Sequence, residues 1–394
     1  LLPRKINILL ALNVNFDAER GGLERSSVNL VKYLSKDPMI QCYCAFTKFV
    51  DKIENIIEIE TNITSEDDFR EILHERKIDI ILLPGGPWYS LMAAKAVKGT
   101  SCKIITAWHF SPGIIVGNTF QENLRSLKNE KNKLSKIKTL FKLIFFPLYK
   151  YKIEQANRKS FRKGYEVSDQ FVVLSKTFIN EFKQIYGLAD TSKIAAINNS
   201  NSFEKTISKE DILIKEKTIL IVARLDESSK RLSLAFKIWK LVEGKNPDWK
   251  LQIVGDGKDM KLYENIVKKL KLKNVIFEGR KSPEQYYIKA AIFFMTSRHE
   301  GWGLTLTEAQ QMGCIPIAMD SFSSLHDIVQ DQKNGFIIKD KDIKSYAAAT
   351  QNLIDNSELR HTISVNAVIN SNRFLPEVIG IKWVELFQEV VASK

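Results

Sequence analysis

Short apolar runs closed by glycine, proline or a polar turn alternate along the chain with stretches in which apolar residues recur every three or four positions. The short runs read as buried strands and the periodic stretches as amphipathic helices. Strands are expected at residues 5–13, 41–46, 78–83, 103–108, 170–174 and 193–198, then at 218–223, 250–254, 274–277, 291–295, 314–319 and 335–338. Helices are expected after Gly22, near 65–76 and 89–97, from the N-cap Ser175 to Tyr186, after Lys230 and from Leu304. Regular alternation of strand and helix predicts an α/β chain with parallel, doubly wound sheets.

The polar run at 198–211 interrupts the alternation. A domain boundary is expected there, with residues 1–200 forming one Rossmann-like domain, 201–375 a second, and 376–394 a final helix with Trp383 and Phe387 on its apolar side. A length of 394 residues suits two such domains.

In doubly wound sheets ligands bind beyond the carboxyl ends of the strands. Gly22, His109, Arg224, Asp256, Arg280, Glu300 and Gly303 all fall just past a predicted strand end. Two sheets facing each other would gather all seven in one interdomain cleft, a common place for ligands. The densest stretch is 291–313, where an apolar strand leads through Arg298, His299 and Glu300 to Gly301, Gly303 and a helix start, with Glu308 one turn on. Glycines let the backbone approach a ligand, and the unpaired N–H groups of a first helical turn suit an anion. Alone, this stretch reads equally as a strand-loop-helix turn with two solvated glutamates.

Gly21 and Gly22 before a helix resemble a phosphate cradle but lack GxGxxG, and a plain turn explains them as well. Arg224 and Lys230, six residues apart around a strand end, suit a diphosphate clamp, although a surface pair has the same signature. His109, taken singly, is more often a packing residue than a catalyst. Together, cations and a helix start indicate a phosphorylated ligand, and carboxylates able to accept from hydroxyls indicate sugar.

The formal charge of +13 suggests acidic partners. Residues 120–163 hold thirteen Lys or Arg against three acids, and so carry ten of the thirteen net charges, around an apolar centre at 140–149 interrupted by Pro147. This composition fits in-plane contact with an anionic membrane, and equally a core helix with solvated lysines. Nucleic acid is the weaker reading, because no binding module accompanies the charge. Cys42, Cys44, Cys102 and Cys314 have neither zinc spacing nor the density of a disulfide framework, so a reducing cytosol is the default. No apolar stretch is long enough to span a bilayer, and the opening strand lacks a signal-peptide cleavage pattern.

With these residues assembled, the sequence resembles the retaining glycosyltransferases of family 4, which have the GT-B fold. Glu300 and Glu308 in E-x7-E, the flanking GWGLTLTEAQQMGCIPIA, and Arg224 and Lys230 in RL-x4-K carry the resemblance, with GGLER at 21–25 and VVLSKTFINEF at 172–182 also similar. Trp302, Ala223 and Asn199-Ser200 depart from the usual pattern without removing a charged group.

The resemblance implies transfer of a sugar from a nucleotide donor, a UDP- or GDP-sugar, with retention and without a cofactor or bound metal. Arg224 and Lys230 would then neutralise the leaving diphosphate, and Gly21 and Gly22 would meet its distal phosphate. Glu308 would accept from the ribose hydroxyls and Glu300 from those of the donor sugar. The backbone from Gly301 through Gly303, Leu304 and Thr305 would hold phosphate or sugar. His109 would approach from the opposite domain, Arg280 and Asp256 would lie on the donor side, and the final helix would cross back to the first domain. A glycan or lipid-linked acceptor at the cytoplasmic membrane face is the expected partner. The alternatives are a sugar-nucleotide epimerase of the same fold, a glycoside hydrolase using Glu300 and Glu308, or a non-catalytic sugar-nucleotide or nucleic-acid binding protein.

Overall fold

The computed structural model describes residues 4–113, 124, 127, 130 and 132–393. Seven strands form a first sheet: β1 (Ile6–Phe16), β2 (Ile40–Phe49), β3 (Ile56–Glu60), β4 (Ile80–Pro84), β5 (Lys103–Trp108), β6 (Gln170–Val173) and β7 (Ile194–Ala196), in the order β3-β2-β1-β4-β5-β6-β7. Six form a second: β8 (Glu216–Val222), β9 (Lys250–Val254), β10 (Val275–Gly279), β11 (Ala290–Met295), β12 (Ile315–Asp320) and β13 (Phe336–Lys339), in the order β10-β9-β8-β11-β12-β13. The strand pairs are parallel, and both sheets are doubly wound.

Parallel strands covered by helices on both faces lose the alternation of a half-exposed sheet. All five residues of β4 and all six of β11 are accordingly buried. β3 is the strand that apolar runs alone did not predict. Its IIEIE alternates apolar with charged residues at the sheet edge, where one side stays wet. β1 runs three residues beyond the expected end because Phe16 is fully buried against Phe46 and Phe49.

Strand order reverses between β1 and β4 in the first sheet and between β8 and β11 in the second. The loops leaving β1, β8 and β11 carry Gly21 and Gly22, Arg224 and Lys230, and residues 296–303. The chain passes from one sheet to the other between Ala196 and Glu216. Its final helix, Pro376–Ala392, returns to the first sheet, burying Ile379, Trp383 and Phe387 in the cluster that holds β1, β2 and the helix Gly22–Leu34. A Cβ on Gly380 would strike the Tyr33 ring at 2.1 Å, so glycine is what lets these two helices touch.

Of the basic segment, 120–123, 125, 126, 128, 129 and 131, which include Glu122, Arg125, Lys128 and Lys131, lie outside the described residues. The rest forms two helices, Lys133–Ile144 and Phe146–Val167. The break comes at Phe145, and Pro147 takes a first-turn position where its missing N–H costs nothing. Gly164 sets the second helix against the first domain, since a Cβ there would lie 2.0 Å from that of Pro87.

Candidate active site

The two strand-end clusters meet at a seam between the domains. β11 ends in a buried loop through Thr296 and Ser297, turns at Gly303 with φ of 95°, and continues as the helix Leu304–Gln311. A Cβ on Gly301 would fall 2.1 Å from the carbonyl oxygen of His109, and one on Gly22 would lie 3.7 Å from Leu304 Cδ1. The exits of β1 and β5 therefore press directly on the loop and helix start after β11.

On the second domain, Lys230 Nζ donates to Glu300 Oε1 at 2.5 Å, in a pair that is mostly shielded from water. Arg224 is exposed one turn of chain away, and its loop is locked to the neighbouring strand exits. Leu225 N donates to Asp256 O at 2.9 Å, and Gly255 N to Gly279 O at 2.8 Å. Gly255 has φ of 140°, and a Cβ on it would sit 1.9 Å from Ala223 O, so only glycine admits this approach. Asp256 and Arg280 are exposed beside it at the ends of β9 and β10. Arg224, Lys230, Asp256, Arg280 and Glu300 thus share one edge of the second sheet.

Arg231, adjacent to Lys230, fixes this edge from beneath. It is buried at φ of 51°, donates through Nε to Thr296 O at 2.8 Å and through an Nη to Ser297 O at 2.7 Å, and forks onto Asp340 at 2.7 and 3.2 Å. One guanidinium ties the loop of Lys230 to the loop of Glu300.

Glu308 stands apart from Glu300. It has no exposed surface and is enclosed by partners from both domains. Oε1 accepts from Arg25 Nη1 at 2.7 Å and from Ser202 Oγ at 2.6 Å, and Oε2 accepts from Tyr287 Oη at 3.2 Å. The carboxylate raises the pKa of the Arg25 guanidinium and outweighs the effect of burial, while burial and the same carboxylate push the Tyr287 phenol well above its ordinary range. This arrangement withholds Glu308, a residue expected to meet a donor, from any ligand.

His109 lies 3.2 Å through Nδ1 from Ser26 Oγ. Ser26 also reaches Leu23 O at 2.9 Å, so its single proton can go to that carbonyl while the hydroxyl accepts from Nδ1–H. Burial lowers the imidazole pKa to about 4 against a smaller opposing hydrogen bond that the ring donates to Asn199, leaving a neutral ring at neutral pH. Trp302, between the two site glycines, packs edge-on against Phe374 at 5.4 Å, and no acceptor among the described residues meets its buried Nε1.

Sequence reasoning missed Arg25, Ser26, Ser202, Tyr287 and Arg231. Arg25 and Ser26 stand three and four positions after Gly22, on the helical face that Gly22 begins, and that spacing is the signal available. Ser202 and Tyr287 carry no such mark.

Residues 202–368 match the family model of glycosyl transferases group 1. Amylovoran biosynthesis glycosyltransferase AmsD of Erwinia amylovora is 28% identical over 230 residues, 56% of this chain and 63% of that protein. Over the first three curated relatives, the chain spans 42% to 63% of their length. Among solved structures, Anabaena Alr3699/HepE in complex with UDP superposes with a TM-score of 0.72 at 16% identity, over 98% of this chain and 100% of that one. The apo lipopolysaccharide outer core galactosyltransferase WaaB gives 0.67 at 19% identity over the same shares. The chain therefore has the GT-B fold, and residues 202–368 are the part it shares with the glycosyl transferases group 1.

Proposed function

We propose that this chain is a retaining, nucleotide-sugar-dependent hexosyltransferase of family 4 that needs no bound metal and builds a polysaccharide or a lipid-linked glycan. The observation that carries the reading is the Lys230–Glu300 pair at the strand-order switch of the second sheet, next to exposed Arg224 and opposite a neutral His109. Arg224 and Lys230 supply positive charge where the anomeric C–O bond breaks and the diphosphate leaves, a task otherwise given to a divalent cation. Glu300, released from Lys230 as the lysine turns to phosphate, accepts from the hydroxyls of the transferred sugar. His109, uncharged, meets the same sugar from the first domain without repelling either cation.

Glu308 accepts from the ribose once Arg25 withdraws. The donor-bound arrangement then differs from this one by a parting of the helices Gly22–Leu34 and Leu304–Gln311. The name of WaaB, a lipopolysaccharide outer core galactosyltransferase, supports a glycan acceptor, and the UDP complex of HepE supports a uridine donor as the first to try. The same reading puts the chain on the cytoplasmic face of a membrane, with the basic segment towards the lipid.

The test is a thermal-shift screen against UDP, GDP, ADP and their sugars, since a ligand that binds only the folded state raises its Tm. It is followed by donor turnover with and without EDTA, and anomeric analysis of the product. Failure of every nucleotide to stabilise the protein sinks the reading. Conversion of the nucleotide sugar without an acceptor would make it an epimerase instead.

A further inference from the structure

The helix Lys133–Ile144 has two faces. Ser135, Thr139 and Leu143 are buried or half-buried towards the protein, whereas Leu134, Ile137, Leu140, Phe141 and Ile144 point outwards with 47% to 67% of their surface exposed. At about 100° per residue those five fall within one stripe. Beyond the break at Phe145 the exposed apolar surface continues through Phe145, Leu148 and Tyr151. Phe141 and Phe145 stack in the open with planes 3° apart and centroids 6.3 Å apart. Apolar side chains scattered singly over a surface need no explanation, but eight in eighteen consecutive positions do.

Charge selects the occupant. Exposed Lys136 and Lys138 border the stripe on either side, with Lys133, Lys142, Lys150 and Lys152 along its length, and the helix Lys133–Ile144 contains no acid. The nearest acids are engaged locally, Glu130 with Ser135 at 2.7 Å and Glu154 with Lys150 at 3.6 Å. A second copy laid on this face would set lysine against lysine. Nucleic acid would answer the lysines but leave the apolar stripe in water. An anionic lipid surface satisfies both, with the stripe sunk to the depth of the acyl boundary and the ammonium groups at the headgroups.

We infer that the stripe from Leu134 to Tyr151 is an in-plane docking surface for an anionic bilayer, a deepening that rests on the proposed membrane-facing function. No helix among the described residues is long and apolar enough to cross a membrane. The second helix of the hairpin fixes the surface to the catalytic body. Phe161 and Tyr165 are buried in the first-domain aromatic cluster with Trp108, Phe171 and Phe182, and Trp108 immediately precedes His109. The docked face is thereby rigidly connected to the strand that carries His109 to the seam, at a height set by the hairpin.

The test is co-flotation of the full chain with vesicles of pure phosphatidylcholine or of phosphatidylcholine with one third phosphatidylglycerol. Binding is expected to the anionic vesicles alone and to weaken with salt. Each lysine near such a surface contributes about fivefold in partition, so Lys133→Gln/Lys136→Gln/Lys138→Gln should lose on the order of a hundredfold. Ile137→Ser/Phe141→Ser/Ile144→Ser, all at exposed positions, should lose at least as much without a change in Tm. The control Lys237→Gln/Lys240→Gln/Lys261→Gln removes the same charge from the second domain and should bind as the parent does. Equal binding to both vesicles, equal loss in the control, or an apolar variant that still floats would overturn the inference, as would a dimer that the apolar variant dissolves. A nucleotide-induced Tm rise measured on each variant separates the two readings: its presence without flotation removes the membrane surface alone, and flotation without it removes the proposed function alone.

Discussion

Arg25 Nη1 lies 2.7 Å from Glu308 Oε1, an ion pair between residues 283 positions apart that joins the first domain to the second. Its carboxylate is wholly buried, so the pair holds one domain arrangement through an attraction set against the desolvation of both charges. Removing one partner strands the other. Arg25→Met is expected to destabilise the protein by about 3–5 kcal/mol, seen as a lower urea midpoint. The double change Arg25→Met/Glu308→Leu should recover most of that loss, because no buried charge is then left uncompensated. A single change with no effect on the midpoint would mean that the pair is open in solution.

Lys230 and Glu300 give a different expectation, because their pair is partly open to water and sits where the diphosphate and sugar are proposed to lie. Glu300→Gln and Lys230→Met should each lower transfer by about a hundredfold or more, the scale of losing one preorganised electrostatic contact. Tm should change little beside this. For Lys230→Met the nucleoside diphosphate itself should bind less tightly, whereas for Glu300→Gln it should bind as before, since the glutamate is assigned to the sugar. Calorimetric titration with UDP or GDP reads that contrast, and wild-type turnover in both variants would discard the site.

His109 ties stability to pH. Its folded pKa is depressed to about 4 by burial, against an ordinary value of 6.5, so between those values the unfolded chain binds more protons than the folded one. Stability is therefore full above pH 6.5, falls as pH drops through the window and levels off below about 4. The ceiling on this loss is about 3 kcal/mol, at about 1.4 kcal/mol per unit. His299, also lowered by burial, adds in the same direction. Urea midpoints should fall less steeply from pH 7.5 through 5.5 to 4.5 in His109→Asn than in the parent, and parallel profiles would show that His109 is accessible to protons in the folded state.

The strand ends were legible because burial on both faces leaves a plain apolar run, and because a ligand site in such sheets needs glycines and charges where those runs stop. Arg224, Lys230, Asp256, Arg280 and Glu300 share a sheet edge for that reason. What the sequence did not carry is the docking of one domain on the other. Arg25, Ser202 and Tyr287 converge on Glu308 from three separate parts of the chain, and nothing local to any of them marks the meeting. β3 was lost for a local reason, its glutamates breaking the apolar run. The helices around Pro147 read equally as core or surface, since periodicity reports that a helix has an apolar side without reporting what covers it.

Arg231 offers the sharpest separation between holding a site and acting in it. Its guanidinium is buried, donates to the carbonyl oxygens of Thr296 and Ser297, and pairs with Asp340, which is itself partly exposed. Glu300 hangs three residues beyond Ser297, and Lys230 directly precedes Arg231. Arg231→Met takes from the Thr296 carbonyl its side-chain donor, while Ser297 O keeps Ser321 Oγ at 2.6 Å, so in a region with little water the loss is about 1–3 kcal/mol. The loss also frees the two loops to move independently, and displacement of about 1 Å at reacting groups can cost a hundredfold in rate. Asp340→Asn keeps the guanidinium and both carbonyl bonds while removing the counter-charge, so it should lower Tm modestly and leave transfer nearly intact. The expected ranking is therefore Arg231→Met severely impaired in transfer at a temperature where it remains folded, with Asp340→Asn close to wild type. Equal impairment of the two would assign the effect to charge at the seam, and full activity in Arg231→Met would show that the loops of Lys230 and Glu300 hold their geometry without the strut.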